Sequence, residues 1–350
     1  MTIGIDISPI KTGHKFRGIG SYTENLFRLL GKYDKLNKYT FFTRKEKLLI
    51  NVNLVHYPYF DPFFLTLPLK KDTPTVVTVH DLTPLVFPDQ FPRGFKGEVK
   101  WQIQKWSLKG ARAVIVDSEC SKKDVIRLTG IDEKRVFVVY LAAGEKFRQL
   151  KHKDLTPVKI KYNLPEKFVF YVGDATWNKN VPGLIKAIGK INLPLVIAGK
   201  QLADPDFDRS NPWNKDLIEV EELTKNDKRI IRLGFVPLED LVAIYNLATV
   251  CALPSFYEGF GLPVLEAMSC GCPVVTSRAG SLPEVVGEAA LYVNPSDTGD
   301  IANGIGEIYF NSEVKEKFCQ KGFLQVKKFS WKKTIHETVE IYKKALSMKR

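Results

Sequence analysis

Short apolar runs rich in β-branched residues alternate with longer helical stretches along this chain, and near its middle the series begins again. No other feature narrows the fold as far. Ile3–Ile7, Tyr39–Thr43, Leu54–Tyr57, Thr75–His80, Ala113–Asp117 and Arg135–Tyr140 are apolar enough throughout to be strands of a parallel sheet covered on both faces. Between them, Ser21–Lys32, Phe95–Lys109 and Ser121–Thr129 carry helical periodicity, the last with Ser121 as N-cap and Asp124 in the first turn. The second series has strands at Phe168–Val172, Leu193–Ala198, Ile230–Leu233, Val250–Leu253, Pro273–Thr276 and Ala290–Val293. Its helices fall at Val181–Lys190, Asp216–Lys225, Leu238–Ala248, Leu262–Cys270 and Thr298–Tyr309. Two such series predict two Rossmann-like, doubly wound α/β domains, at residues 1–150 and 151–332. A length of 350 residues suits two cores. The polar stretch Gly144–Pro165 reads as the linker.

Charge divides the chain differently. Of the net +13, residues 1–150 hold 25 Lys/Arg against 15 Asp/Glu, residues 151–314 hold 16 against 21, and residues 315–350 hold 11 against 3. The basic excess thus sits at both ends. The tail Val314–Lys349 is helical in pattern and follows a second sheet that is already complete. Packing its last part, 333–350, back on the first domain would join the two basic segments into one lobe. Such a lobe suits an anionic membrane surface, a phosphorylated acceptor or nucleic acid. No nucleic-acid module accompanies it, so no nucleic acid is expected. The helix Phe95–Lys109, with Trp101, Trp106 and several lysines, is where a membrane surface would dock, although an ordinary cover helix explains it equally. The first residues lack a signal peptide's basic and apolar regions, and no run reaches the roughly 20 apolar residues of a membrane helix. The expected location is cytoplasmic, with peripheral attachment to the inner face of the membrane. Five scattered cysteines (Cys120, Cys251, Cys270, Cys272, Cys319) read as reduced and structural.

Ligands of open parallel sheets bind where strands end and helices begin, and five such loops here carry chemistry. In Ser255–Met268, Gly259 and Gly261 let the backbone approach a ligand, and a helix starts at Leu262–Pro263. Glu258 lies on the loop and Glu266 about one turn into the helix, so each must hold a different part of an extended ligand; carboxylates accept well from vicinal hydroxyls. Gly173–Asn180 follows a buried strand and aims Lys179 at the same region, where a cation can meet charge developing on a leaving phosphate. Gly18 and Gly20 precede a helix and could cradle a diphosphate, although the longer dinucleotide fingerprint fails at Thr23. His80 ends a central strand and could bond a substrate hydroxyl or cap the turn after it, and Asp81 could act as base or as turn cap. In the fifth loop, Asp117–Glu119, Ser118 could approach phosphates. Asp204-Pro-Asp206-Phe-Asp208 offers an Asp-x-Asp pattern, but no metal site is expected from it.

The run Phe256-Tyr-Glu-Gly-Phe-Gly-Leu-Pro-Val-Leu-Glu266-Ala-Met, continued to Val275, resembles the donor-site motif of the family 4 (group 1) glycosyltransferases, and the stretches Val77–Leu82 and Tyr171–Asn180 look most like bacterial mannosyltransferases. The likeness extends to Leu233–Pro237, Gly280–Val286 and Phe329-Ser-Trp331 before the last helix. The resemblance implies the GT-B fold, in which the two domains face a central cleft and the C-terminal helix crosses back to the N-terminal, acceptor-side domain. It implies a retaining transfer of a hexose from a nucleoside diphosphate sugar to an acceptor hydroxyl of a glycan or lipid-linked saccharide. GDP-mannose is the expected donor and UDP-glucose the next, with no further cofactor and no metal. It assigns Glu266 to the ribose and Glu258 to the donor sugar, with Gly173, Val236, Gly259, Phe260, Gly261 and Leu262 around the donor. Gly18 and Gly20 lie over the diphosphate. Lys179, His80 and Glu258 are the catalytic candidates. Where the family commonly has an arginine after the glycine, this chain has Asp174; Arg278 is a substitute of low rank. An epimerase or phosphorylase of the same fold, or a basic nucleic-acid binder, is the alternative.

Overall fold

The computed structural model describes residues 1–13, 18–44, 51–203 and 206–348. It forms two units, one of Met1–Pro88, Pro92–Gly144 and Phe329–Arg350, the other of Asp89–Phe91 and Glu145–Lys328.

In the first unit β1 (Thr2–Asp6), β2 (Lys38–Phe42), β3 (Leu54–Tyr57), β4 (Thr75–Val79), β5 (Ala113–Val116) and β6 (Val136–Val138) form one parallel sheet in the order β2-β1-β3-β4-β5-β6. β4 and β5 are buried along their whole length, as apolar strands covered on both faces must be. Helices α1 (Gly18–Tyr33), α2 (Thr83–Val86), α3 (Gly94–Lys109) and α4 (Glu119–Thr129) connect them.

The second unit begins with α5 (His152–Lys161) and carries β7 (Val169–Val172), β8 (Leu195–Ala198), β9 (Ile230–Gly234), β10 (Val250–Leu253), β11 (Val274–Ser277) and β12 (Ala290–Val293). Between and after these strands lie α6 (Val181–Ile191), α7 (Lys215–Thr224), α8 (Leu238–Leu247), α9 (Leu262–Ser269), α10 (Leu282–Val286), α11 (Thr298–Phe310) and α12 (Ser312–Val326). The order β12-β11-β10-β7-β8-β9 is the doubly wound arrangement. From β7 the chain winds outward through β8 and β9, then returns to lay β10 on β7's other side. The loops leaving β7 and β10 therefore diverge at a topological switch point, which is where such sheets bind ligands. α6 shows why the helices cover the sheet. Val181, Leu184, Ile185 and Ile188, spaced for one helical face, are all buried.

The last helix, α13 (Trp331–Ser347), belongs to the first unit, as charge and resemblance both led us to expect. Ser330 caps it by accepting from the Lys333 amide, and the Thr334 hydroxyl donates to the Tyr140 carbonyl at 2.7 Å. Deeper in, the Tyr342 hydroxyl meets His56 Nδ1 at 2.7 Å, and His56 Nε2 meets the Thr78 hydroxyl at 2.8 Å. Burial pushes His56 down to about 3, so this histidine is neutral.

Three local expectations are corrected. The stretch read as linker contains α5, whose polar character reflects a helix with only Val158 buried. The tail is two helices: α12 closes at Val326 with Lys327 as its C-cap, and Ser330 opens α13. The N-cap of α4 is Ser118, which accepts from the Ser121 amide, while the Ser121 hydroxyl donates to the His80 carbonyl.

Candidate active site

The switch point brings Lys179 and Glu258 together. The Lys179 ammonium donates to Glu258 Oε2 at 2.6 Å, and the Ser255 hydroxyl donates to Oε1 at 2.7 Å. The Glu258 side chain is only 6% exposed and that of Lys179 23%. A carboxylate so buried needs these partners, because an uncompensated charge in that setting costs several kcal/mol.

Local folding explains the placement. Asn180, in left-handed conformation, ends the turn Trp177–Lys179 and opens α6, and its amide donates to the carbonyls of Pro254 and Pro295. Asn178 donates to the Tyr257 carbonyl and accepts the Phe256 amide on its own carbonyl, while Trp177 stacks on Phe256. The β7 and β10 loops are thus stitched together. From the other side the Ser281 amide and hydroxyl both donate to the Glu258 carbonyl at 3.0 Å. Beside them Gly280 has φ +57°, and a Cβ there would lie 2.4 Å from that carbonyl oxygen.

The loop ends at Gly261, φ +87°, directly before α9, where no side chain caps the first turn. Pro263 carries no N–H and the Val264 amide donates to the Gly261 carbonyl at 3.0 Å, so of these first residues it is Leu262 whose amide can meet an anion or a sugar oxygen. Gly259 and Phe260 are buried within the loop. One turn on, Glu266 is touched by neither Lys179 nor Ser255 in these hydrogen bonds; it accepts from the Tyr245 hydroxyl of α8 at 3.2 Å. Its carboxyl keeps slight exposure yet lies among Tyr245, Cys251 and Cys270, and burial raises it to about 7. Gly173 precedes Lys179 at the end of β7, where Gly199 packs so closely that a Cβ on it would meet the Gly173 carbonyl.

The other expected residues stand on other elements. Val236 is buried beyond the edge strand β9. Arg278 lies over the Tyr292 ring at 3.9 Å. Asp208 accepts from Ser210, while Asp204 is outside the described residues. In the first unit, Gly18 and Gly20 occupy the first turn of α1 and not a loop before it; Phe16 and Arg17 are outside the described residues. Asp81 caps its turn by accepting from the Thr83 amide. His80 has both nitrogens engaged within the protein, Nδ1 to Asp117 at 2.6 Å and Nε2 to the Pro58 carbonyl at 3.1 Å. The carbonyl can only accept, so Nε2 carries a proton, and a second lies on the bond to Asp117. Burial alone would discharge this imidazole, but Asp117 outweighs it and the pKa lies above the ordinary value.

Sequence reasoning missed Ser255, Asn178, Asn180 and Ser281. All four flank residues that were singled out, and that was the available signal. It also missed Tyr245, which nothing in the α8 pattern marks.

Taken together, this is a parallel-sheet site able to hold a polyhydroxylated, phosphate-bearing ligand, and comparison with known proteins agrees. Residues 15–142 match the family described as Glycosyltransferase Family 4, and residues 153–325 match Glycosyl transferases group 1. The chain is 31% identical over 325 residues to O-antigen chain mannosyltransferase B of Escherichia coli, covering 86% of this chain and 82% of that one. Its fold is similar to sucrose-phosphate synthase from Thermosynechococcus elongatus (TM-score 0.75, 20% identity, 98% of each chain). It is also similar to Anabaena HepE solved with UDP and glucose (TM-score 0.73, 16% identity, 98% of this chain and 99% of that one). The chain belongs to the family 4, group 1 glycosyltransferases, and its two parallel-sheet units are those of the GT-B fold. It is a glycosyltransferase.

Proposed function

We propose that this enzyme transfers mannose from GDP-mannose to a hydroxyl of a glycan or lipid-linked saccharide, with retention at the anomeric carbon, at the cytoplasmic face of a membrane. The observation that carries the reading is the Lys179–Glu258 pair at the switch point. On donor binding the ammonium turns to the diphosphate, and Glu258, still held by Ser255, accepts from hydroxyls of the sugar. Glu266 accepts from the ribose, and the Leu262 amide at the start of α9 meets a diphosphate or sugar oxygen. The bond from the anomeric carbon to the phosphate oxygen breaks as the acceptor oxygen bonds from the same face. The departing diphosphate takes the acceptor proton, and Lys179 stabilises the charge that develops on it. His80, with both nitrogens held within the protein, is a positioning residue of the acceptor side and does not shuttle a proton. Mannose rests on the similarity to the O-antigen enzyme; HepE, solved with UDP and glucose, makes UDP-glucose the competitor.

A thermal-shift series with GDP-mannose, UDP-glucose and ADP-glucose tests the donor. A ligand at a hundred times its Kd adds about 2.7 kcal/mol of stability, and GDP-mannose is expected to give the largest shift. A shift with UDP-glucose alone overturns the donor assignment, and epimerisation of free donor without acceptor overturns transfer.

A further inference from the structure

We propose that α3 and the loop after β3 form a single face that docks on an anionic lipid bilayer. The inference rests on the lipid-linked acceptor of the preceding section and deepens it. On α3, Phe95 is 84% exposed and Trp106 64%, with Val99 also exposed. At 100° per residue the three fall within about 40° of one another. The residues α3 buries are others, Trp101, Gln104, Ser107 and Leu108. The helix is therefore apolar on two sides, and the core uses only one.

The loop adds Phe64 and Leu65, 65% and 62% exposed, and Leu69. It is fastened to α3. Gln104 Oε1 accepts from the Thr66 amide, the Thr66 hydroxyl and the Leu67 amide, and Lys71 donates to Ser107 Oγ. Asp61 holds the tip by accepting the amides of Phe63 and Phe64. Lys100 lies 5.3 Å from the centre of the Phe64 ring, so loop and helix present one surface. Their exposure is built into the fold.

Charge complementarity selects the occupant. Lys96, Lys100, Lys105 and Lys109 flank the apolar stripe, while the acids within it are engaged, Glu98 by Arg93 and Gln102 and Asp72 by Lys70. A second copy seated isologously would set these lysines against themselves. A bilayer with anionic headgroups meets both requirements: aromatic and leucine side chains enter at headgroup level and lysines pair with phosphates. The loop starts beside Pro58, whose carbonyl holds His80. The docking face and the catalytic edge of the first sheet thus share one segment, and an acceptor anchored in lipid would emerge beside that edge.

The test is flotation of the full chain with vesicles of phosphatidylcholine alone or mixed with phosphatidylglycerol. We expect flotation on the mixed vesicles only, loss of it in the Phe64→Ser, Leu65→Ser, Phe95→Ser, Trp106→Ser variant, and weakening by about fivefold for each lysine neutralised in Lys96→Gln, Lys100→Gln. GDP-mannose protection read on the same samples should not change. Wild-type protein that floats on neither vesicle, or a serine variant that floats equally well, overturns the inference. So does a dimer in light scattering that the serine substitutions dissolve, since the face would then bind a second copy. Flotation without any GDP-mannose shift leaves the docking face standing and removes the donor reading instead.

Discussion

Lys179 and Glu258 neutralise each other at 2.6 Å, and the lysine is the ion partner of the buried Glu258 carboxylate. Lys179→Ala should therefore act twice. It leaves Glu258 unpaired, which costs stability, and it removes the cation proposed for the leaving diphosphate, which should lower kcat by about 10²–10³-fold; steady-state kinetics beside a denaturation curve separate the two effects. Glu266 gives a pH-dependent prediction. Its carboxyl is raised to about 7 in the folded chain against 4.5 ordinarily. Between those values the folded state binds more protons than the unfolded one, so stability falls as pH rises through that window and the penalty is complete above 7. Glu266→Gln should stabilise the protein at pH 8 by roughly 1–3 kcal/mol, leave it unchanged below pH 4.5, and weaken donor affinity. If the melting temperature of the variant tracks the wild type at every pH, Glu266 does not titrate as described. Lys179 and Glu258 stood out because loops that end apolar strands are short and their polar residues few, and Glu266 because Val264, Leu265, Ala267 and Met268 around it in the helix are apolar. Tyr245 was not, since its contact with Glu266 depends on where α8 is laid down, a matter of tertiary packing.

The elements that matter most are the two loops at the β7/β10 switch and the turn that closes on them. At Gly280 the backbone has φ +57°, and Cβ would meet the Glu258 carbonyl oxygen at 2.4 Å and its amide nitrogen at 2.7 Å. Both are backbone atoms, so the loop itself must move. Gly280→Ala should cost about 2–4 kcal/mol and lower turnover at least tenfold, since the displaced residue is Glu258; urea denaturation and initial rates check this together, and an alanine variant with wild-type values would show that the turn does not clamp the loop. At this scale the strands were the most readable part of the chain, because full burial leaves an unbroken apolar run. Boundaries and caps were less so. Ser118 and Ser121 are both good capping residues by type, and only the fold shows that one caps α4 while the other reaches the His80 carbonyl. α5 escaped notice because a helix that buries one residue leaves almost no apolar stripe to read.

For the molecule as a whole, the uneven distribution of charge foretold part of the outcome: Phe329–Arg350 rejoins the basic first unit, while α12, with Lys315, Lys317 and Lys321, stays with the second. α13 enters that body through buried polar contacts, so Tyr342→Phe, which strips His56 Nδ1 of its partner, should cost about 1–3 kcal/mol. Hydrogen exchange should show the loss in β3 and β4 and none in β7 or β10; uniform loss across both sheets would contradict the division into units. His56 and Tyr342 stand 286 positions apart. A ribosome makes every residue of the second unit between them, so the body begun first is finished last. During synthesis the second unit can fold while the first waits, with one helical place unfilled, for α13 to leave the exit tunnel.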